Sequence, residues 1–382
     1  MKHKIKPIVV SLIVSVFLVL AVFSIHRWST STHPLYMNNQ RISKLNSLER
    51  KMENHYTLQP EQNHLLQSNN LHSPQHLLET YGLSFLPSPN KFRIFLIWIG
   101  ETFPSLYMSA FETILFHHPH AQVMVLSNEL DEHVFDSFKK FKQSLNESSQ
   151  PKYQDIHVVR FNLTAMTREG KLGSDFVQDA LSIAKRSSHS QDSSFLKLTR
   201  VHLSDFLRYY MLYYYGGLYI DSDMFVMRNL QHLKNAIGVD GFRTQVCHSE
   251  VYSKGPVKDF ACLCNCLMSF EKEHPFMREA LENYGYFWRT IQGYGPGGAV
   301  MLMKFVKRHL DSLSVYHNGQ FLCNDYLQRY EMHASSGTSQ EVQEIIDNCH
   351  VAHLYGGGKN SLQINLHGTN VMSRIYEKFK IS

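Results

Sequence analysis

The stretch of sequence that decides the fold is LSDFLRYYMLYYYGGLYIDSDM, which spans Leu203–Met224. Apolar residues recur in its first half every three or four positions, which predicts a helix with one buried face. Gly216 and Gly217 follow, and the pair predicts a left-handed cap that ends the helix. The next three residues are apolar and predict a short buried strand, at whose end stand Asp221 and Asp223.

The two acids at the end of this strand predict a metal site. In an extended chain, residues two positions apart point to the same side, so Asp221 and Asp223 are expected to converge. Two carboxylates held that close repel each other unless a cation or a proton lies between them. Mn²⁺ or Mg²⁺ suits oxygen ligands and leaves positions open for phosphate. We therefore expect a clamp for the metal of a nucleotide diphosphate, where the metal stabilises the leaving diphosphate.

The preceding helix carries a second polar group. Asp205 and Arg208 are three positions apart and are able to touch on a face that differs from the apolar one. Taken alone, an Asp-x-Asp triplet is weak, because turns are rich in Asp. The order of polar triplet, helix, paired glycines, apolar strand and two acids is what makes the pattern informative.

Strand and helix patterns alternate ahead of this stretch. The predicted elements are, in order, a strand at Phe92–Ile99, a helix at 105–118, a strand at Gln122–Ser127, a helix at 129–145 and a strand at Ile156–Phe161. This alternation predicts an α/β domain with a mainly parallel sheet. Ligands bind such sheets beyond the carboxyl ends of the strands, so Trp98 at the end of the first strand is a candidate contact.

The N-terminal part of the chain predicts a membrane anchor and a stem. Residues 1–7 are basic and form a predicted cytoplasmic tail, and residues 8–25 are uncharged and apolar, near the short end of what spans a bilayer. Residues 26–90 are polar and irregular and are typical of a luminal stem. A cleaved signal peptide is the alternative, but its apolar region is shorter and a small-residue cleavage site follows it.

Cysteines and glycosylation motifs agree with a luminal domain. All six Cys follow the apolar segment, and an even number suits disulfide pairing in an oxidising compartment, although 15 connectivities are open. Asn146 and Asn162 each begin an N-glycosylation motif. Zinc is the alternative for the Cys-x-Cys-x-Cys run at 262–266, but structural zinc sites usually space their Cys further apart.

The charge distribution argues against a nucleic-acid partner. The chain has 38 Lys and Arg against 33 Asp and Glu, a net charge of +5. Residues 1–27 contain three Lys, one Arg and no acid, so four of the five charges belong to the tail. A nucleic-acid-binding protein is expected to carry its basic charge on the folded domain.

These motifs resemble the Asp-x-Asp glycosyltransferases with a sugar-binding region, and more closely the α1,4-galactosyltransferase and α1,4-N-acetylglucosaminyltransferase group of glycosyltransferase family 32. The resemblance covers residues 91–382 and includes Ser-Asp-x-x-Arg and Gly-Gly-x-Tyr-x-Asp-x-Asp within 203–230, Asn265-Cys266, Gly295-Pro296-Gly297 and His353-Leu354-Tyr355. It implies a GT-A-type catalytic domain at 91–382, with a nucleotide-sugar-binding half at 91–235 and an acceptor-side region at 236–382. It also implies a single-pass type II protein of the Golgi membrane.

The resemblance assigns roles to particular residues. Asp223 is similar to the direct metal ligand, and Asp221 to the acid that contacts the ribose or sugar and helps to hold the metal; both are the candidate catalytic residues. Asp205 and Arg208 are similar to the pair that contacts the donor sugar. Trp98 is similar to a tryptophan at a strand end that stacks on uracil in more distant relatives.

His353 is the candidate third metal ligand. The implied reaction is retaining transfer of a hexose, galactose or N-acetylglucosamine, from a UDP-sugar to a glycolipid or glycoprotein glycan, through an α1,4-type linkage. The alternatives are a non-catalytic luminal sugar-binding or scaffold protein on the same fold, and a phosphotransferase in which the first acid of Asp-x-Asp is a nucleophile. Departures from the family pattern, such as Cys266 after Asn265, fall in the half that shapes the acceptor site.

Overall fold

A computed structural model describes residues 73–140, 155–168, 171–187, 200–240, 262–290, 298–316, 338–354 and 368–380. The helices in this part of the chain are α1 Pro74–Tyr81, α2 Ser105–His117, α3 Asp136–Lys140, α4 Leu163–Met166, α5 Ser174–Ser187, α6 Arg200–Tyr215, α7 Pro275–Thr290, α8 Ala299–Phe305, α9 Ser339–Asn348 and α10 Val371–Phe379. The strands are β1 Arg93–Ile97, β2 Gln122–Leu126, β3 Ile156–Val159, β4 Gly217–Ile220, β5 Met224–Val226, β6 Ala236–Asp240, β7 Cys262–Phe270, β8 Ser314–Tyr316 and β9 Val351–His353.

The strands form a seven-stranded sheet in the order β3-β2-β1-β4-β7-β6-β8 and a separate pair, β5-β9. Strands β1 to β4 run parallel to one another, while β7 is antiparallel to both β4 and β6. The chain is therefore mixed α/β with a parallel-rich sheet, as the alternation of patterns predicts. Because β1 and β4 are parallel neighbours, Trp98 and Asp221 follow their strands at the same edge of the sheet.

Alternate residues of the central strands feed two apolar cores, one on each face of the sheet. Phe95 and Tyr219 point into a core that α5, α6, α7 and α8 complete. Ile94 and Leu218 point into the opposite core, which α2 covers. The strands are buried on both faces, which explains why their sequences read as continuous apolar runs.

The junction between α6 and β4 shows why two glycines stand there. Gly216 has φ of 65° and its N–H donates to the carbonyl of Leu212 at 3.0 Å, which is the left-handed cap that the sequence predicts. A Cβ atom on Gly216 would lie 2.6 Å from the backbone N of Lys272. The tight turn sends the chain straight from helix into strand and so fixes where Asp221 falls.

The predicted helix at 129–145 begins later than expected. Helix starts at Asp136, and residues 141–154 lie outside the described part of the chain. Polar side chains bind the backbone of the preceding turn: Ser127 Oγ accepts from the N–H of Leu130 at 3.1 Å, and Asp131 Oδ1 accepts from that of His133 at 2.7 Å. Such local hydrogen bonds compete with the helical ladder and favour turns.

The end of α2 is held by a buried histidine. His118 is buried, and its Nε2 accepts a hydrogen bond from the N–H of Leu230 at 3.3 Å. Burial, together with a smaller effect of the adjacent His117, lowers the pKa of His118 to about 3. The neutral ring is therefore the form that the fold accommodates, since only an unprotonated nitrogen accepts this bond.

Part of the polar N-terminal segment packs on the folded domain. Residues 73–90 include α1, and Leu83, which is fully buried, forms an antiparallel bridge to Phe161. The rest of the predicted stem and the predicted anchor at 8–25 lie outside the described residues. Within those residues, none of the helices combines the length and the apolar character that crossing a membrane requires.

Candidate functional site

Asp221 and Asp223 converge, but through a turn rather than an extended segment. The chain turns at residues 222 and 223, and the N–H of Met224 donates to the carbonyl of Asp221 at 3.2 Å. The turn takes the chain from β4 in the large sheet to β5 in the small one. The sequence argument for convergence was therefore wrong in its geometry, while the carboxylates nevertheless come together.

The small sheet brings His353 to the two acids. Met224 in β5 is paired with His353 in β9, and the N–H of Leu354 donates to the carbonyl of Asp223 at 2.9 Å. His353 Nε2 consequently lies 3.3 Å from Asp223 Oδ1, and both side chains are mostly buried. One ligand atom from each of Asp221, Asp223 and His353 falls within 4.8 Å of the others.

This donor set fits a divalent metal. Two carboxylate oxygens and one imidazole nitrogen are ligands that Mn²⁺ accepts, and three protein ligands leave positions for a substrate. Burial raises the pKa of the Asp221 carboxyl; Arg208 opposes this rise and Asp223 adds to it. The two acids thus have the electrostatic conflict that a cation relieves.

Arg208 links the helix to the Asp-x-Asp turn. Its Nη2 lies 3.5 Å from Asp205 Oδ1 and its Nη1 lies 3.3 Å from Asp221 Oδ1. The guanidinium also donates to Ser204 Oγ at 2.9 Å and to the carbonyl of Asn265 at 2.8 Å. Although burial alone lowers the pKa of Arg208, the carboxylate of Asp221 outweighs it and the net shift is upward. The side chain is a fixed positive charge between the buried Asp205 and the partly exposed Asp221.

Asp205, the acid next to this arginine on the same helix, has one carboxylate oxygen that is hydrogen-bonded within the described residues and one that is not. Its Oδ1 accepts from Asn265 Nδ2 at 2.8 Å, whereas Oδ2 is buried and makes no hydrogen bond within the described part of the chain. Burial raises the pKa of Asp205 to about 6, although Arg208 and Asn265 oppose the rise. An unsatisfied buried oxygen is costly, and a sugar hydroxyl is a group that would satisfy it.

Tyr219 completes the contacts around Asp221. Its hydroxyl donates to Asp221 Oδ1, and the guanidinium of Arg208 lies 4.4 Å from the centre of its ring. Burial raises the pKa of Tyr219 well above its usual value, so the phenol stays protonated and remains a donor. The sequence motif contains this tyrosine, but sequence reasoning gave it no role.

Trp98 lies at the same edge, among aromatic rings. Its indole N–H donates to the carbonyl of Thr102 at 2.9 Å, and its ring centre is 4.9 Å from that of Tyr107 and 4.8 Å from that of Phe103. Burial raises the pKa of Tyr107 to about 12, with Asp223 and Asp221 contributing. The charges of both acids therefore reach Tyr107, a residue that sequence reasoning did not single out.

Two neighbouring cysteines form a disulfide beside the site. Cys264 and Cys266 are bonded to each other, so the preference for disulfide over zinc is confirmed for this pair. Their sulfur atoms and a nitrogen of His353 also lie within 4.8 Å of one another. Because bonded sulfurs offer no thiolate, the two acids and His353 remain the candidate metal ligands.

Of the two candidate glycosylation sites, Asn162 lies in the described part of the chain and Asn146 does not. Asn162 is half-buried, and its Oδ1 accepts from the N–H of Ala165 at 3.1 Å, so it caps α4. Modification of either asparagine stays a prediction.

Part of the chain that contains this site matches a known protein family. Residues 104–240 match the family model described as "Glycosyltransferase sugar-binding region containing DXD motif". The sequence of residues 104–240, here called the glycosyltransferase region, is similar to that family. The glycosyltransferase region contains Asp205, Arg208 and the Asp-x-Asp turn, which confirms the family resemblance of the sequence. A second model, "Capsular polysaccharide synthesis protein", matches residues 188–293 and overlaps the same turn.

A curated protein also matches by sequence. "Uncharacterized protein At4g19900" of Arabidopsis thaliana is 33% identical over 126 residues, which is 33% of this chain. The match spans only 17% of that protein's length. The relation is thus between regions and not between whole proteins.

Similarity to solved structures is low. The PaToxG glycosyltransferase has 15% identity and a TM-score of 0.37, with 72% of this chain and 82% of that chain covered. The galactosyltransferase LgtC in complex with donor and acceptor sugar analogs has 12% identity and a TM-score of 0.36, with 76% and 97% covered. An active-site mutant of LgtC has 13% identity and a TM-score of 0.40 at the same coverage.

Proposed function

We propose that the chain is a metal-dependent glycosyltransferase of GT-A type that transfers a hexose from a UDP-sugar to a hydroxyl group of a glycan on a lipid or a protein. The observation that carries the proposal is the convergence of Asp221, Asp223 and His353 at the carboxyl edge of the sheet, where both acids belong to the glycosyltransferase region. Galactose is the first candidate donor sugar and N-acetylglucosamine the second. Retention of configuration and an α1,4-type linkage complete the proposal, and both rest on the sequence resemblance.

The described residues suit the binding of such a donor. Asp221, Asp223 and His353 would hold Mn²⁺ or Mg²⁺, which supplies positive charge to the diphosphate as it leaves. Arg208 and Asp205 lie on the α6 side of the acids, where a carboxylate oxygen and a guanidinium can bind sugar hydroxyls. Trp98 offers a flat ring to the nucleobase.

We also propose that the protein works in the Golgi lumen on a single-pass type II anchor. The support is the apolar segment at 8–25 behind a basic tail, the two glycosylation motifs and the disulfide between Cys264 and Cys266. Disulfides persist in oxidising compartments and are rare in the cytosol. Digestion of sealed microsomes with an externally added protease tests the topology, since a luminal domain stays intact until detergent is added.

The activity is tested by UDP release from the purified full-length chain. UDP-galactose, UDP-N-acetylglucosamine, UDP-glucose and UDP-N-acetylgalactosamine are supplied in turn, with Mn²⁺ or with EDTA. Asp223→Asn keeps the shape of the side chain and removes the charge that binds metal. Asp311→Asn, at an exposed aspartate of the acceptor-side region, is the matched control.

The proposal predicts release from one donor that needs Mn²⁺, is lost in Asp223→Asn and is kept in Asp311→Asn. A folded chain that neither releases UDP nor binds it in the presence of Mn²⁺ would refute the proposal. UDP binding that depends on Mn²⁺ but gives no release with any glycan acceptor would instead favour the non-catalytic sugar-binding alternative.

A further inference from the structure

The disulfide between Cys264 and Cys266 shortens β7 at one point. Only one residue separates the two cysteines, and their Cα atoms are 5.2 Å apart. Two residue steps of an extended strand cover about 6.6 Å. The disulfide therefore holds this part of β7 shorter than a regular extended strand. The backbone hydrogen bonds of the sheet alone do not require this shortening.

The same segment of β7 leaves the regular pairing with β6. Ile237 pairs with Met268, whereas the next residue, Gly238, pairs with Cys264. Residues 265–267 of β7 therefore have no pairing partner on β6. Bulges of this kind bend a strand and redirect its side chains. Here the redirected residue is Asn265, which stands between the two cysteines.

Asn265 and Cys266 hold the donor side of the candidate site. The carbonyl of Asn265 accepts from Arg208 Nη1 at 2.8 Å, and its Nδ2 lies 2.8 Å from Asp205 Oδ1. The carbonyl of Cys266 accepts from the N–H of Asp221 at 2.8 Å. One short bulge therefore touches three of the residues assigned to the donor and metal.

We propose that Cys264 and Cys266 are positioning residues: their disulfide fixes the bulge so that Asn265 holds Arg208 and Asp205 in the geometry that binds the donor sugar. This inference rests on the proposed function. Loss of the disulfide lets β7 lengthen toward the extended form and moves the carbonyl and amide groups of Asn265 away from their partners. Binding of the UDP-sugar weakens as a result.

The test is a double-mutant cycle on the full-length chain. The variants are Cys264→Ala/Cys266→Ala, Asn265→Ala, and the two combined, and the observable is the dissociation constant of the preferred UDP-sugar with Mn²⁺ by calorimetry. We expect the cysteine pair to weaken binding about tenfold, or about 1.4 kcal/mol, in the wild-type background. We expect less than about a twofold effect in the Asn265→Ala background, because coupled residues are not additive.

A control separates positioning from general destabilisation. Ser269 lies on the same strand, is buried and donates to the carbonyl of Leu233 at 2.7 Å, so Ser269→Ala lowers the melting temperature without touching Asn265. Its dissociation constant for the donor is expected to match that of wild type. If the alanine pair does not fold, Cys264→Val/Cys266→Val keeps apolar volume and strand preference and replaces it.

A ligand-independent readout keeps this inference distinct from the proposed function. The amide hydrogen of Asp221 donates to Cys266, so its exchange rate with solvent reports the position of the bulge. We expect that rate to rise several-fold in the cysteine pair variant and to stay unchanged in Ser269→Ala. The positioning role is overturned if the exchange rate of the Asp221 amide is unchanged in the cysteine pair variant. It is also overturned if the cysteine pair weakens binding tenfold in the Asn265→Ala background. If wild type binds no donor, that result counts against the proposed function alone.

Discussion

Replacing Arg208 with Met is expected to destabilise the protein strongly. Arg208 is only 5% exposed, and its guanidinium lies within 3.5 Å of carboxylate oxygens of Asp205 and Asp221. Methionine retains much of the apolar stem but leaves both acids without their positive partner. Removing one member of a buried ion pair costs about 3–5 kcal/mol, so we expect the free energy of unfolding to fall by that amount.

A second substitution shows whether the loss of stability comes from the lost ion pairs of Arg208 or from a buried carboxylate that is left without a positive partner. Asp205→Asn in the Arg208→Met background removes a buried carboxylate that has no cation beside it. We expect this double variant to regain about 1–3 kcal/mol, which is the usual cost of leaving a buried polar group unsatisfied. Asp205→Asn in the wild-type background is expected to destabilise the protein instead, because it leaves the arginine with one acid fewer.

The assay is urea denaturation of the full-length chain, followed by tryptophan fluorescence. Arg278→Met is the matched control, since Arg278 is exposed and pairs with Glu282 four residues along the same helix. We expect its unfolding curve to overlie that of wild type. If Arg208→Met costs less than about 1 kcal/mol, the inference that Arg208 is a structural and electrostatic centre of the site is refuted.

Acid is expected to destabilise the protein through His118, whose pKa is lowered to about 3. Above pH 6.5 its ring is neutral in both the folded and the unfolded state. As the pH falls below that value only the unfolded chain takes up the proton, so the folded state loses stability relative to it. At 1.36 kcal/mol per pH unit this costs about 2 kcal/mol between pH 7 and pH 5, and urea melts at both values should show a loss that His118→Gln reduces. Gly216→Ala should cost more than about 1–2 kcal/mol, because φ is positive there and the added Cβ would also lie 2.6 Å from the backbone N of Lys272; a melting temperature equal to that of wild type would contradict the assigned cap. Tyr219→Phe removes the hydroxyl that donates to Asp221 and should weaken Mn²⁺-dependent UDP binding by up to about tenfold in calorimetry. Tyr286→Phe, at an exposed tyrosine, should leave the binding unchanged.

Local sequence signals predict the frame of the fold well. The helix before Gly216, the cap itself and the strand after it follow from spacing and from the freedom of glycine at positive φ. The buried strands at 93–97 and 122–126 follow from their apolar runs. The helix expected at 129–145 was wrong at its start, because Ser127 and Asp131 bind the backbone locally and the apolar spacing does not reveal this.

The candidate site is less accessible to sequence reasoning, because distant segments build it. The pairing of β5 with β9 places His353 beside the Asp-x-Asp turn, and no local pattern predicts that register. Asn265 reaches Asp205 across 60 residues of sequence. In the sequence, Asn265 is marked by its place between two cysteines, which predicts a constrained backbone. That place does not predict that its side chain contacts Asp205.

The pairing of β5 with β9 has a consequence for biosynthesis. The two acids precede residue 225, but the imidazole that joins them arrives only when residue 353 has been translated and β9 has docked. Long-range strand pairing of this kind forms late, after loop-closure entropy has been overcome. A nascent chain that has released β1 to β4 can therefore build most of its parallel sheet without a complete set of metal ligands. We expect chains truncated before Val351 to accumulate as folded but inactive species, which a ribosome-release series can separate from misfolded ones.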